Sequence, residues 1–396
     1  MRILILHSRY RSALPSGENR VVDEEAALLA AAGHDVELHM PSSDEIEGYG
    51  RLDKALLPGR VVWSGRARHE VAGLVDRFRP DVVHVHNTFP LLSASVLGAV
   101  RRAGVPIVAT VHNYRHLCAG GGLFRDGHVC YDCIGTRGLR GLRLGCYRGS
   151  VAATAPIWAA NLLTGRLWHR DVAFLLCPSE GQRQIFLRAG FDPAKVVTKP
   201  NFVVDQPERR DPSRHLLYLG RLGLEKGVDV LMAAWDRLGT TAPLPLVIAG
   251  GGPLEGDVRA WAEGRDDVRY LGQQDRAGCA ALVRDAAAVI APSVVEETFG
   301  LVIVEAMAAG VPAVASAIGS FPSLIRAGID GLLVPVGDVA ALAAALVQVG
   351  SDAELSRRLG RMGREAYVER FSPEANLAAL EGIYGRATRQ SREGRA

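Results

Sequence analysis

The sequence predicts the α/β class, with two doubly wound parallel sheets in tandem. Three observations carry this. Short apolar runs rich in Val, Ile and Leu, at 3–6, 36–39, 82–85 and 106–111, alternate with longer amphipathic stretches, the pattern of βαβ units. The rhythm breaks over 201–212, where two prolines and a cluster of charges intervene, and then restarts at 216–219, 246–249, 289–291 and 313–316. The length of 396 residues suits two domains that each bury a core, and 48% hydrophobic with 22% charged residues is ordinary globular composition.

Taken in order, the run 3–6 reads as a first buried strand. The stretch 19–32 reads as a helix with Val21, Val22, Ala26, Leu28 and Leu29 on its apolar face and Gly33 as its stop. The first domain is expected over 1–204, with an insertion at 115–150, and 205–213 is expected to be the linker. The second domain follows over 214–370, with strands at 216–219 and 246–249 flanking a helix at 228–238. Two such sheets are expected to face a central cleft with their carboxyl ends. Ser372 as N-cap and Pro373 as first helical residue open a final helix over 371–385, expected to pack back on the first domain. The basic, small and polar residues 386–396 are expected to be disordered.

Net charge of +3 gives no ground for a nucleic-acid partner. Its distribution is uneven, since no Asp or Glu lies between Asp132 and Asp171 while six Arg do, so that segment is a candidate for meeting an anion. The first eight residues hold too short an apolar run for a signal-peptide core, and the uncharged run 149–165 is broken by Pro156, Asn161 and hydroxyl residues. A cytoplasmic protein is expected, with peripheral contact at the inner membrane face left open. Its six cysteines should then be reduced thiols or metal ligands. Oligomeric state is not legible in the sequence.

Two regions of the second domain carry chemistry. Gly220-Arg221 and Lys226-Gly227 frame a loop after a strand, with a forked and a compact cation flanked by glycines that let backbone approach a diphosphate. Glu297 and Glu305 lie eight residues apart around the helix entrance Phe299-Gly300. Glu305 stands among Val304, Ala306 and Met307, where a buried carboxylate needs a ligand hydroxyl or a cation, unless it caps a neighbouring loop.

These motifs in this order, with Gly250-Gly251-Gly252-Pro253-Leu254 between them and Glu297-x7-Glu305-Ala306-Met307-Ala308 closing the set, resemble the retaining family-4 glycosyltransferases of GT-B fold. The resemblance extends to the first half through Gly17, His112 and Cys177-Pro178-Ser179-Glu180. It implies a nucleotide-sugar donor, UDP before GDP on family frequency, and a hydroxyl acceptor that is a polysaccharide, a glycolipid or a small secondary metabolite. It further implies that Arg221 and Lys226 neutralise the leaving diphosphate without a catalytic metal, and the sequence contains no Asp-x-Asp.

By the same resemblance, Gly220, Gly250 and Gly251 line the donor site and Glu305 accepts from the ribose. Glu297 meets the transferred sugar, and the amides around Gly300, Leu301 and Val302 point at phosphate. Gly17, in Pro15-Ser16-Gly17-Glu18, offers its amide to the diphosphate or the acceptor, or serves only as a strand-to-helix turn; Ser16 stands where the family often has glycine. His112 is a candidate contact to the donor sugar, and Asn113 replaces the acid that commonly follows it. No protein nucleophile is assigned, and front-face attack is expected. A nucleotide-sugar epimerase or sugar phosphorylase on the same architecture, and a non-catalytic binding protein, are the alternatives.

The insertion holds Cys118, Cys130, Cys133 and Cys146, whose Cys-x2-Cys core and outlying cysteines are compatible with a four-thiolate structural zinc. The other reading is four reduced thiols packing a loop subdomain. The nearby Arg137, Arg140, Arg143 and Arg148 are placed to meet a lipid phosphate or simply to solubilise the loop.

Overall fold

The computed structural model describes residues 1–13, 16–211 and 213–393; Pro15 of the first loop, Pro212 of the linker and the last three tail residues lie outside that range. The chain divides into two compact units, one of Met1–Leu123, Cys130–Lys199 and Leu377–Ala396, the other of Phe124–Val129 and Pro200–Asn376.

In the first unit, strands β1 (Arg2–His7), β2 (Asp35–His39), β3 (Val82–Asn87) and β4 (Ile107–Thr110) build a parallel sheet. Two strands of the insertion, β5 (Phe124–Arg125) and β6 (His128–Val129), belong to the second unit and pair only with each other as a short antiparallel hairpin. The strands β7 (Phe174–Cys177) and β8 (Val196–Thr198) then complete the main sheet in the order β2-β1-β3-β4-β7-β8. Ile3, Leu4, Ile5 and Leu6 are all fully buried because helices cover both faces, which is why the run reads as continuous rather than alternating. The reversal of strand order falls between β1 and β3, so the loops after these strands diverge to opposite faces and leave a crevice at their carboxyl ends.

The second unit repeats the design with β9 (His215–Leu219), β10 (Leu246–Ala249), β11 (Val268–Tyr270), β12 (Ala286–Ala291), β13 (Ala313–Ser316) and β14 (Gly331–Val334), in the order β11-β10-β9-β12-β13-β14. Here the reversal lies between β9 and β12, the strands that lead into Arg221 and Glu297.

Three segments differ from the sequence-based expectation. The 386–396 tail is not a disordered end over its described part, because the last helix runs Pro373–Glu393. Its Leu380, Ile383, Tyr384 and Ala387 are buried in one cluster with Ile3, Ile5, Val22 and Phe174, an apolar face that polar neighbours conceal in a linear reading. The segment expected as a linker is held by partners of the second unit. Arg209 N donates to Ala309 O at 2.8 Å, Val203 N to Phe371 O at 3.2 Å, and Asp205 pairs with Arg364. Lastly, Glu305 is not buried: in the helix Leu301–Ala308 it shares a half-buried stripe with Leu301, one turn earlier, while Ile303, Val304, Ala306 and Met307 face the core. A run that looks uniformly apolar in sequence thus has one face that carries an acid at low cost.

Candidate functional site

In the second unit the loops after β9, β10 and β12 meet at the carboxyl edge of the sheet. Gly220 N donates to Ala249 O at 3.1 Å, Leu222 N to Gly251 O at 3.0 Å, and Val294 N to Glu225 O at 3.1 Å. Two glycines make this approach feasible. A Cβ at Gly250, whose φ is +141°, would fall 1.8 Å from Gly220 O, and a Cβ at Gly227, whose φ is +66°, would fall 2.0 Å from Pro292 O.

The convergence brings Lys226 against Glu297, Nζ to Oε1 at 2.5 Å, and Ser293 Oγ donates to the same oxygen at 2.7 Å. Glu297 is 9% exposed and lies among groups that satisfy its charge. Arg221 is more open: its side chain is 64% exposed, its Nε is 3.7 Å from Glu225 Oε1, and its carbonyl accepts from Tyr218 Oη at 2.8 Å. Burial, and then Glu297, Glu225 and Asp229, push the Tyr218 hydroxyl far above its usual range, so it stays a neutral donor to this loop. Gly300, with φ +99°, opens the helix Leu301–Ala308; the amides of Leu301 and Val302 lie in its first turn, where no intrahelical carbonyl is available. Gly250 N donates to Gly272 O and Gly250 O accepts from Tyr270 Oη, so this glycine sets loop shape through both of its backbone groups.

In the first unit, Ser16 caps the helix Gly17–Ala31 by accepting from Asn19 N at 3.2 Å, which explains a serine where glycine is common. Asn113 Nδ2 lies 3.3 Å from Glu18 Oε2, a bond to which an aspartate could not donate. Burial pushes Glu18 up to about 7, opposed by Arg115, Asn113 and Tyr10. His112 follows β4 by two residues and lines a small pocket with Phe89, Arg115, Asn161 and Trp168. Burial first, and then His86 and His7, hold the His112 imidazole well below its ordinary value, so it is neutral at pH 7.

Behind His112 lies a polar cluster that motif reading missed. Glu25, His84 and Lys199 are all at most 1% exposed and His86 is buried; Lys199 Nζ donates to Glu25 Oε2 at 2.7 Å. The only sequence signal was His84-x-His86, two polar side chains on one face of a strand that otherwise reads as buried. Among the described residues, Glu25, His84 and His86 are the one group of three or more His, Cys, Asp or Glu side chains whose ligand atoms all lie within 4.8 Å. A dication there would sit beside the Lys199 ammonium, so the set fits an ion-paired network and not a metal centre.

The four insertion cysteines share a neighbourhood: burial raises the Cys133 thiol, and Cys118, Cys146 and Cys130 add to the rise. No three of their sulfurs nevertheless lie within 4.8 Å of one another, whereas a tetrahedral zinc with bonds of ~2.3 Å holds its sulfurs about 3.8 Å apart. As placed, these residues do not fit a bound zinc. Of the nearby arginines, Arg140 pairs with Asp132 at 2.9 Å and Arg148 stacks on the Tyr147 ring. No single helix is long and apolar enough to cross a membrane among the described residues.

Comparison with known proteins matches residues 15–206 to the model of Glycosyltransferase Family 4 and residues 202–366 to that of Glycosyl transferases group 1. A phosphatidyl-myo-inositol mannosyltransferase of Mycobacterium leprae is 30% identical, over 85% of this chain and 84% of its own. A glycogen synthase of Mycobacterium tuberculosis is 30% identical, over 99% of this chain and 96% of its own. Among solved structures, Anabaena HepE in complex with UDP and glucose aligns with a TM-score of 0.68 at 16% identity, over 97% of this chain and 100% of its own.

Proposed function

Because the chain belongs to the family-4, group 1 glycosyltransferases, with the GT-B fold class of its structural neighbours, we propose that it transfers a hexose from UDP-hexose to an acceptor hydroxyl with retention of configuration. The observation that carries the reading is the meeting of Arg221, Lys226 and Glu297 on loops at the topological switch point of the second sheet. Arg221, exposed and only loosely engaged, and Lys226 take the diphosphate. The first-turn amides of Leu301 and Val302 add donors to a phosphate oxygen. Glu305 accepts from the ribose hydroxyls, to which its half-buried position leaves access.

Glu297 accepts from a hydroxyl of the transferred sugar. Its pairing with Lys226 fixes the position of both groups where the two loops meet. His112 contacts the sugar and the amide of Gly17 contacts the diphosphate or the acceptor. The acceptor oxygen attacks C1 from the face that the diphosphate leaves. The C1–O bond breaks with its electron pair on the β-phosphate oxygen, and that oxygen receives the acceptor proton. UDP is favoured by the ligand of the HepE complex, and a glycan or lipid-linked acceptor by the names of the mannosyltransferase and glycogen synthase relatives.

A thermal-shift screen of UDP and GDP sugars, followed by NMR of the product, tests this reading. Stabilisation by a UDP-hexose and an α-linked product from an α-linked donor are expected. An inverted product, or stabilisation by GDP sugars alone, overturns the corresponding part.

A further inference from the structure

The buried cluster behind His112 has a directional order. Lys199 Nζ binds Glu25 Oε2 at 2.7 Å; Glu25 Oε1 lies 3.3 Å from His86 Nε2; His86 Nδ1 lies 2.9 Å from His112 Nε2. Burial holds His86 down to about 4, so both imidazoles are neutral at pH 7 and each carries one N–H. Glu25 is held well below the usual carboxylate range despite burial, by Lys199 and the two histidines of β3, so it can only accept. Neither Glu25 Oε1 nor His86 Nε2 has a hydrogen-bond partner, and they stand 3.3 Å apart, so a His86 proton on Nδ1 would leave a bare Nε2 beside a carboxylate oxygen. The carboxylate therefore draws the His86 proton to Nε2, His86 Nδ1 becomes an acceptor, and His112 must supply the N–H between the rings.

We propose that Lys199, Glu25 and His86 form a relay that fixes His112 in its Nε2–H tautomer and leaves its Nδ1 as a hydrogen-bond acceptor for a sugar hydroxyl. The relay rests on the reading of His112 as a sugar contact only for its catalytic consequence; the tautomer follows from the charge of Glu25 and the order of the contacts within the cluster. Glu25, His86 and Lys199 are positioning residues, since each acts through the next. The other titratable groups facing the cluster are His7 of β1, whose ring lies 6.4 Å from that of His86, His84 beside Glu25, and Tyr384, whose hydroxyl is 2.7 Å from His84 Nδ1. His84 Nε2 is held by Thr110 Oγ1 at 2.8 Å, and its Nδ1 lies 3.1 Å from Glu25 Oε1, so His84 shares that carboxylate oxygen with His86.

The test is 15N NMR of the imidazole nitrogens in the full chain labelled at histidine, with the His112 signals assigned by their loss in His112→Gln. At pH 7 the wild-type chain should show a protonated Nε2 and an unprotonated Nδ1 at His112; the reverse pattern overturns the relay. In Glu25→Gln the Lys199 ammonium claims the amide oxygen and turns the amide nitrogen toward His86 Nε2. Every proton in the relay then shifts by one position, and His112 should switch to Nδ1–H. Transferase kcat should fall about tenfold, the equivalent of one lost hydrogen bond, with the donor KM little changed. An unchanged His112 tautomer in this variant overturns the relay. Since Glu25→Gln leaves a buried ammonium without its anion and risks misfolding, the wild-type spectrum stands as the independent arm. The expected tautomer in a chain without transferase activity would retain the relay and sink the glycosyl-transfer reading, so the two failures are distinguishable.

Discussion

Lys226 and Glu297, 71 residues apart in sequence, meet at 2.5 Å between Nζ and Oε1, with Ser293 on the same carboxylate oxygen. The motifs suggested separate duties, the lysine for phosphate and the acid for sugar. Their pairing means that removing either also changes the other, since each loses the partner that fixes its position.

Lys226→Ala and Glu297→Gln should each fold and lose about 10²- to 10³-fold in kcat, corresponding to ~3 to 4 kcal/mol of transition-state stabilisation. The double variant should lose much less than the product of the two single losses. Steady-state kinetics of a double-mutant cycle decides this, and near-normal turnover in both single variants removes the pair from the site.

Gly250→Ala and Gly227→Ala should destabilise the second unit by more than about 2 kcal/mol, because the new methyl would overlap Gly220 O or Pro292 O and neither backbone can retreat. Gly256→Ala, in the helix Glu255–Ala262 with open space at its Cβ, should be neutral or stabilising by up to ~1 kcal/mol. Urea unfolding of the three variants supplies the comparison. Equal midpoints for Gly250→Ala and Gly256→Ala would contradict the close packing of the loops.

Stability should fall as pH drops from about 6.5 toward 4. His7, His86 and His116 are each lowered to about 4, chiefly by burial, and His116 also lies beside the Arg115 guanidinium. In this window the unfolded chain, with histidines near 6.5, binds more protons than the folded one, so ΔG of unfolding rises with pH. Glu18, raised to about 7, runs the other way: the folded state holds its proton between about 4.5 and 7, and its contribution is lost as pH rises through that range. Three histidines outweigh one carboxyl, and a net loss on the order of 1–3 kcal/mol from pH 7 to pH 5 is expected. Chemical denaturation at the two pH values measures it, and greater stability at pH 5 would refute the assignment of neutral buried histidines.

Truncation after Asn376 should leave the first unit unable to fold stably, since it strips Leu380, Ile383, Tyr384 and Ala387 from the core cluster. Each large apolar side chain lost from a buried site costs ~1.5 to 3 kcal/mol, and three of them approach the whole stability of a domain. Circular dichroism and limited proteolysis of the truncated chain test this. A cooperative melt at the wild-type temperature would show the helix to be dispensable.

Strands such as 3–6 and 246–249 were legible because a strand covered on both faces must be apolar throughout, and composition reports that directly. The placement of Arg221, Lys226 and Glu297 on loops after strands was legible because such groups are spaced at strand ends in a recognisable order. Glu305 misled, since a helical run shows its apolar excess in sequence while the angle of each side chain to the core is set by packing. The last helix misled for the same reason, its buried face being diluted by basic residues.

By itself the sequence determined two parallel α/β units, the family, and the residue types gathered at the strand ends of the second unit. Local patterning is enough for these, because period and punctuation are properties of neighbours in the chain. Only the tertiary structure decided that Lys226 is paired with Glu297, that Glu305 sits on a half-exposed stripe, and that Glu25, His86 and Lys199 stand in line behind His112. Each is a contact between residues remote in sequence or a choice of helix face, fixed by how elements pack and by which buried charges must find a partner.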